Sequence, residues 1–250
     1  MSHHISIDLI ICTYNNAAIL DRSLTAISKQ QISSHVNWQV LVVDNNCTDE
    51  TVAVVEKHIQ SGKIPLRMVS ETKQGLTPAR LCGVKKSAGN WIAFVDDDCL
   101  LAENWVEQAA RFAIAHPDCG AFGGRVVLDW ELPPPAFVLK YGYSFAQQDY
   151  GTVVKRVSFL VGAGLVMRRA SLLSCGWVDK QLLRDRVGKK LISGGDVEIA
   201  LRIAAKYDLW YNPECTLRHI IPKRRTSNRY LININYGLGI SQQYADAMLW

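Results

Sequence analysis

Four short, mostly apolar stretches constrain this chain more than any other feature: residues 5–12, 38–43, 66–70 and 91–95. They are rich in β-branched and aromatic residues and show little of the polar alternation of a half-exposed strand, so they read as strands buried on both faces. Helical stretches separate them. Asn15-Asn16 opens one that runs to about Gln30, and a second starts near Thr48, whose hydroxyl can cap it with Asp49 and Glu50 in the first turn. A third covers 76–87, and a fourth, 103–115, stops at His116-Pro117. Strand and helix in strict alternation predict an α/β fold: a mostly parallel sheet flanked by helices. Ligands of such sheets bind beyond the carboxyl ends of the strands. The residues at those ends are Thr13, Asn15, Asp44 and Asp96-Asp97-Asp98.

After residue 120 the rhythm changes. Residues 121–128 and 158–167 read as strands, and 215–218 as a shorter one. The triple proline at 133–135 and an aromatic-rich stretch from 137 to 150 have no clean period. Gly194-Gly195-Asp196 precedes an amphipathic helix with Val197, Ala200, Leu201, Ala204 and Tyr207 on one face. Residues 237–250 form an apolar tail without a clear helix stop. We read 1–250 as one domain whose second half adds strands beside the first sheet and carries irregular loops.

Composition excludes several classes. With 48% apolar residues among 250 and a mean hydropathy of +0.01, the chain is not disordered. No apolar stretch reaches the roughly 18–20 residues needed to span a bilayer, and the start lacks a basic leader, so a cytoplasmic protein is expected. Seven scattered cysteines without a C-x-x-C argue for reduced thiols, with Cys12 and Cys99 in the core. Charge is uneven: residues 1–150 carry 12 Lys and Arg against 16 Asp and Glu, residues 151–250 carry 16 against 7. An acidic half can hold a metal and a basic half can attract phosphates, although ordinary solvated surface gives the same count.

Several constellations could carry chemistry. Three carboxylates at the end of the 91–95 strand repel one another unless a cation or donors compensate them, which suits Mg²⁺ or Mn²⁺ with substrate phosphates as well as an acidic turn. Arg80, on the helix before that strand, is either a surface residue or a bidentate clamp on a diphosphate. Asp196 is an N-cap, a general base, or both. His219 is an ordinary histidine or a neutral imidazole ligand. Lys223, Arg224, Arg225 and Arg229 are a solvated face or a phosphate-embracing group.

Taken together, these pieces resemble the family-2 glycosyltransferases with the GT-A fold. The residues that carry the resemblance are Ile10-Ile-Cys-Thr13-Tyr-Asn15, then Val42-Val-Asp44-Asn-Asn-Cys-Thr48, then Ala79-Arg80-x-x-Gly83 followed by Ala88 to Asp98, and then Gly162-Ala-Gly164 through Asp179. It runs from about residue 5 to 222. The Gly-Gly-Asp-Val-Glu stretch and the later His-x-x-Pro are similar to a group involved in bacterial exopolysaccharide assembly. The resemblance implies a Rossmann-like sheet with a smaller acceptor-side sheet region, a nucleotide- and metal-binding half at about 1–120 and an acceptor-binding half at about 121–250. It implies inverting, metal-dependent transfer from a nucleotide-sugar, UDP favoured and GDP or dTDP open, to a glycan or lipid-linked hydroxyl. No nucleic-acid partner is expected, and contact with the inner membrane face would be peripheral.

Carried over by position, Thr13, Asn15, Asp44, Arg80, Asp96 and Asp97 would contact the donor. Asp98, with Asp96 and His219, would hold Mn²⁺ or Mg²⁺, and Asp196 would be the base. The family commonly has an acidic residue immediately before that base. Here it is Gly195, which makes Glu198 a competing candidate. The alternative is a GT-A-like module that has lost catalysis and binds a glycan or nucleotide. A nucleotidyltransferase would show a Gly-rich basic loop after its first strand, where this chain has Thr-Tyr-Asn-Asn-Ala.

Overall fold

The computed structural model describes residues 5–183, 185–187 and 194–248. The apolar stretches become β1 (Ile5–Thr13), β2 (Val36–Asp44), β3 (Leu66–Ser70) and β4 (Trp91–Phe94), with α1 (Ala17–Ile27), α2 (Thr51–Ser61) and α3 (Leu76–Lys86) between them. Beyond β4 the chain forms β5 (Cys99–Leu101), α4 (Trp105–Ala115), β6 (Ala121–Gly123), β7 (Val126–Trp130), the short α5 (Ala136–Leu139), β8 (Lys155–Val157), β9 (Leu165–Arg168) and α6 (Arg169–Ser174). It ends with α7 (Gly195–Ala204), β10 (Leu209–Tyr211), β11 (Leu217–Ile221) and α8 (Asn228–Met248).

The main sheet has the order β3-β2-β1-β4-β9-β6-β10-β8. Its strands run parallel except β9, which pairs antiparallel with both β4 and β6, and β8, antiparallel to β10. Both faces are covered, as continuous apolar strands require. Ile7, Leu9 and Ile11 of β1 pack with Leu20, Leu24, Val55 and Trp105 on one side. Ile10 points the other way, into a cluster with Ala79, Phe94, Leu165, Trp177 and Ile199. This alternation is the period-2 geometry of a strand between two helical layers. A second sheet, β5-β11-β7, lies where β4 ends.

Five expectations need correction. The 121–128 strand is two strands, β6 in the main sheet and β7 in the small one. At Gly124 between them a side chain would collide with the Cys215 backbone carbonyl, so the chain crosses Cys215 there and changes sheet. The 158–167 strand shortens to β9, because Gly164 takes φ +75°. α2 starts at Thr51 without a Thr48 cap; the Thr48 amide is held instead by Asn15 Oδ1 at 2.7 Å. The buried face of α7 is Glu198, Ile199, Ala200 and Ile203, with Ala204 exposed, so the inward stripe is rotated from the expected one. Cys99 is buried as expected, but Cys12 is only half-buried, at the cleft described next.

Candidate active site

Helix α3 reaches the sheet because its inward positions are small. A side chain at Gly83 would run into Ile10, and Ala79 is 1% exposed. That close approach buries Arg80 beside the end of β4, with its guanidinium 5.2 Å from the Phe94 ring centre. The carboxyl ends of β1 and β4, the start of α7, β11 and the inner side of α8 enclose a cleft of about 1110 Å³. Thr13, Asn15, Arg80, Asp96, Asp97, Asp98, Asp196 and His219 line it; Asp44 and Glu198 do not.

The three aspartates after β4 have different surroundings. Asp97 accepts hydrogen bonds from Thr13 Oγ1 (2.7 Å) and Asn16 Nδ2 (2.9 Å), so both its oxygens bind the loop after β1. Burial and the adjacent Asp98 charge push its pKa up to about 7, against the pull of those two donors. Asp98 sits between two bases, with His219 Nε2 at 3.1 Å and Arg225 NH1 at 2.9 Å. Burial opposes its ionisation, but these neighbours hold its carboxyl far below the usual range. Asp96 is the open one: its side chain is 37% exposed, with Arg80 NH2 at 3.9 Å. Desolvation and the Asp98 charge raise its pKa.

The donor set suits a hard divalent cation. Asp96, Asp98 and Cys99 have ligand atoms within 4.8 Å of one another. The buried Cys99 sulfur is a soft ligand, ill matched to a hard cation, which leaves the two carboxylates as ligands. His219 fits beside them: its Nδ1–H donates to the Phe145 carbonyl at 2.8 Å, leaving Nε2 aimed at Asp98. A backbone carbonyl on the far ring nitrogen is the usual support of a ligating imidazole. Without a cation, burial lowers the His219 pKa, but Asp98 and Asp96 outweigh it and raise it above its ordinary value. Strand register fixes this meeting, since His219 of β11 lies opposite Cys99 of β5.

Asp196, in the first turn of α7, faces the cleft, and its Oδ2 accepts the Gly162 amide at 2.9 Å. Glu198 points the other way. It is fully buried, accepts the amides of Leu182 and Leu183 at 2.7–3.0 Å, and pairs with Arg202 at 2.6 Å. Of the two candidate bases, only Asp196 opens onto the cleft. Gly195 also acquires a reason: a side chain there would collide with the carboxylate of Asp185. Asp185, a residue the sequence did not single out, is buried and pairs with Arg80 at 3.0 Å. Burial lowers the Arg80 pKa, but Asp185, Asp196 and Asp96 outweigh it and raise the net value. Arg80 is thus a cationic node among three carboxylates.

On the other flank, Asp44 Oδ1 accepts the Cys47 amide at 2.9 Å and shapes its own turn. Its neighbour Asn45 lines the cleft, taking the Gly75 amide at 2.7 Å and donating to the Glu71 and Lys73 carbonyls at 2.8 Å. Asn15, at φ +49°, brackets the same turn through Thr48.

A model of the family described as glycosyl transferase family 2 matches residues 8–175. The chain belongs to glycosyl transferase family 2. A glucosyl-dolichyl phosphate glucuronosyltransferase of Haloferax volcanii is 24% identical over 247 residues, covering 97% of this family-2 chain and 78% of the relative. Glycosyltransferase AglE of the same organism is 29% identical over 206 residues, 82% of this chain and 64% of that protein. Among solved structures, S. aureus TarS 1–349 in complex with UDP-GlcNAc superposes with a TM-score of 0.64 at 18% identity, covering 88% of this chain and 59% of that one. A mannosyltransferase from Pyrobaculum calidifontis in complex with GDP-Man and Mn²⁺ superposes at 0.62 with 22% identity, covering 88% and 58%. The GT-A fold is shown by these likenesses. The chain spans only about three-fifths of the solved chains it resembles.

Proposed function

We propose that this family-2 domain transfers a sugar from a nucleotide-sugar, with UDP favoured, to a hydroxyl of a glycan or lipid-linked acceptor, inverting the anomeric centre. The observation that carries the reading is one cleft with two acidic sides: Asp96 and Asp98 at the end of β4, Asp196 at the start of α7, and buried Arg80 among them. Mn²⁺ or Mg²⁺ held by Asp96, Asp98 and His219 would supply charge neutralisation for the departing diphosphate. Thr13, Asn15 and Arg80 lie where base, ribose and phosphate of the donor would rest; Asp44 and Asp97 support the loops that do so.

Asp196 takes the proton of the acceptor hydroxyl as its oxygen bonds to the anomeric carbon and the carbon–phosphate oxygen bond breaks. Base assistance of this kind typically contributes about 10²–10⁴-fold. The Gly162 amide orients the Asp196 carboxylate by holding one oxygen, and the other has no hydrogen-bond partner among the described residues. A carboxylate base carried by α7, separate from the acidic turn after β4, supports direct displacement, hence inversion. The names of two similar proteins, the glucosyl-dolichyl phosphate glucuronosyltransferase and the S. aureus poly(ribitol-phosphate) beta-N-acetylglucosaminyltransferase TarS, support a lipid- or phosphate-bearing acceptor and a role in polysaccharide or glycolipid assembly. The Gly195 departure gives no support to a degenerate binding module, because Asp185 fills that space.

Calorimetric titration with UDP, GDP, dTDP and CMP, each with and without Mn²⁺, tests the proposal. The expected result is metal-dependent binding of one nucleotide, lost in Asp98→Asn. Folded protein that binds no nucleotide under either condition overturns it.

A further inference from the structure

We propose that the outward face of α8, with the α5 segment beside it, docks this protein on an anionic lipid bilayer surface. The proposal rests on the lipid-linked acceptor reading for its purpose, but the surface is read from its own chemistry. α8 buries Leu231, Ile234 and Ala245 against the body of the protein. Its opposite side carries Ile232, Tyr236, Ile240 and Tyr244 at spacings of four, one stripe along the helix. Ile232, Tyr236 and Tyr244 are 68%, 73% and 62% exposed, on a face where a water-bathed helix carries polar residues. The stretch that follows α5 lies alongside, joined by hydrogen bonds from Tyr143 Oη and Ser144 Oγ to Asn235 Oδ1 at 3.0 and 2.9 Å, and it exposes Tyr141 next to Leu139 at the end of α5.

Charge identifies the occupant. Lys140, beside Leu139 and Tyr141, Lys223, just before α8, and Arg229, in its first turn, are exposed, and none forms an ion pair among the described residues. Asp246 is the one acidic residue between 222 and 248. An apolar and tyrosine stripe within a basic rim is the pattern of helices that lie in the interface of anionic membranes, where rings sit at the headgroup level and bases meet lipid phosphates. No described helix is long and apolar enough to cross a bilayer, so the contact is one of surface and not of span. The inner side of the same helix, at Leu238 and Gln242, lines the cleft. The helix that meets the lipid therefore also walls the cleft.

The test is flotation of the full chain with vesicles of phosphatidylcholine alone or with phosphatidylglycerol admixed. It compares wild type, Ile232→Ser/Tyr236→Ser and Lys140→Gln/Arg229→Gln, with thermal unfolding and nucleotide titration as controls. The wild type is expected to float with the anionic vesicles and to be released by salt. Removing each basic residue should weaken binding about fivefold, and the apolar pair should abolish it, with folding and nucleotide binding unchanged. The proposal is overturned if folded, nucleotide-binding wild type floats with neither vesicle or if both variants float like wild type. It is also overturned if the apolar pair only dissolves a self-association of the chain. Flotation without nucleotide binding would sink the glycosyltransferase reading and leave this one standing.

Discussion

Replacing Asp185 with alanine separates stability from function at Arg80. The two side chains are 2% and 4% exposed and 3.0 Å apart, so removing the carboxylate strands a buried guanidinium. Breaking such a pair costs about 3–5 kcal/mol. The lower end applies here, because Arg80 keeps Asp96 at 3.9 Å and the Phe94 ring. At roughly 2–4 °C per kcal/mol for a chain of this size, a loss of about 3 kcal/mol lowers Tm by about 6–12 °C. Arg80→Met should cost a similar amount by stranding buried Asp185, which also faces the Asp196 charge. The double variant should recover most of the loss, since an apolar replacement of a whole buried pair is near neutral. It should not recover nucleotide affinity or turnover, which need the guanidinium in the cleft. Thermal unfolding of the four proteins gives the coupling energy, and calorimetry with the nucleotide gives the functional half. Additive losses in the double variant, or an Asp185→Ala protein that melts with wild type, would refute the reasoning.

The two acidic residues of α7 should part company. Asp196→Asn is expected to lose about 10²–10⁴-fold in turnover with donor affinity and Tm retained. Glu198→Gln should instead lose about 1.5–3 kcal/mol of stability, since its buried charge serves the Leu182 and Leu183 amides and Arg202; chemical denaturation reads the difference. Gly83→Val should lower stability by about 1–3 kcal/mol through collision with Ile10 and, by lifting α3, weaken nucleotide binding in the same titration. Glu107 gives a pH signature. Burial raises its pKa, but the Ser33 amide at 3.0 Å and Arg111 at 2.8 Å outweigh it and leave the folded value below the ordinary one. Its contribution is therefore present above the ordinary glutamate range and lost as pH falls through the folded value. Glu107→Gln should lower stability near neutrality, with the difference from wild type closing as pH falls through the folded value, so the acid side of its stability-against-pH curve is flatter.

The nucleotide-side strands and the acidic turn were legible because each is a local pattern: an apolar stretch, then a polar stop. The split at Gly124 was not, since what forces it is a carbonyl about ninety residues further on, at Cys215. α8 was hidden for a different reason. Leu231-Ile-Asn-Ile-Asn235 alternates like a strand, and Gly237 and Gly239 lower helix propensity, so packing on the Val138–Phe145 cluster decides against both signals. Asp185 left no trace in the sequence because its partner is 105 residues away and neither lies in a motif with the other. Asp44 was one residue off the cleft-lining position, Asn45, a distinction that only the turn geometry makes.

The pairing of β5 with β11 has a consequence for how the site comes into being. Asp96, Asp97 and Asp98 are made early in the chain, but the two bases that satisfy Asp98 come from positions 219 and 225. Until β11 has found its register beside β5, Arg80 relieves Asp96 and the loop after β1 holds Asp97, but Asp98 lacks its two partners. The basic second half of the sequence thus acts as a late counterweight, and a nascent chain stopped before residue 219 carries an acidic turn still in self-repulsion. Cation binding should accordingly be among the last properties that refolding molecules regain, after the sheet and its helices are in place.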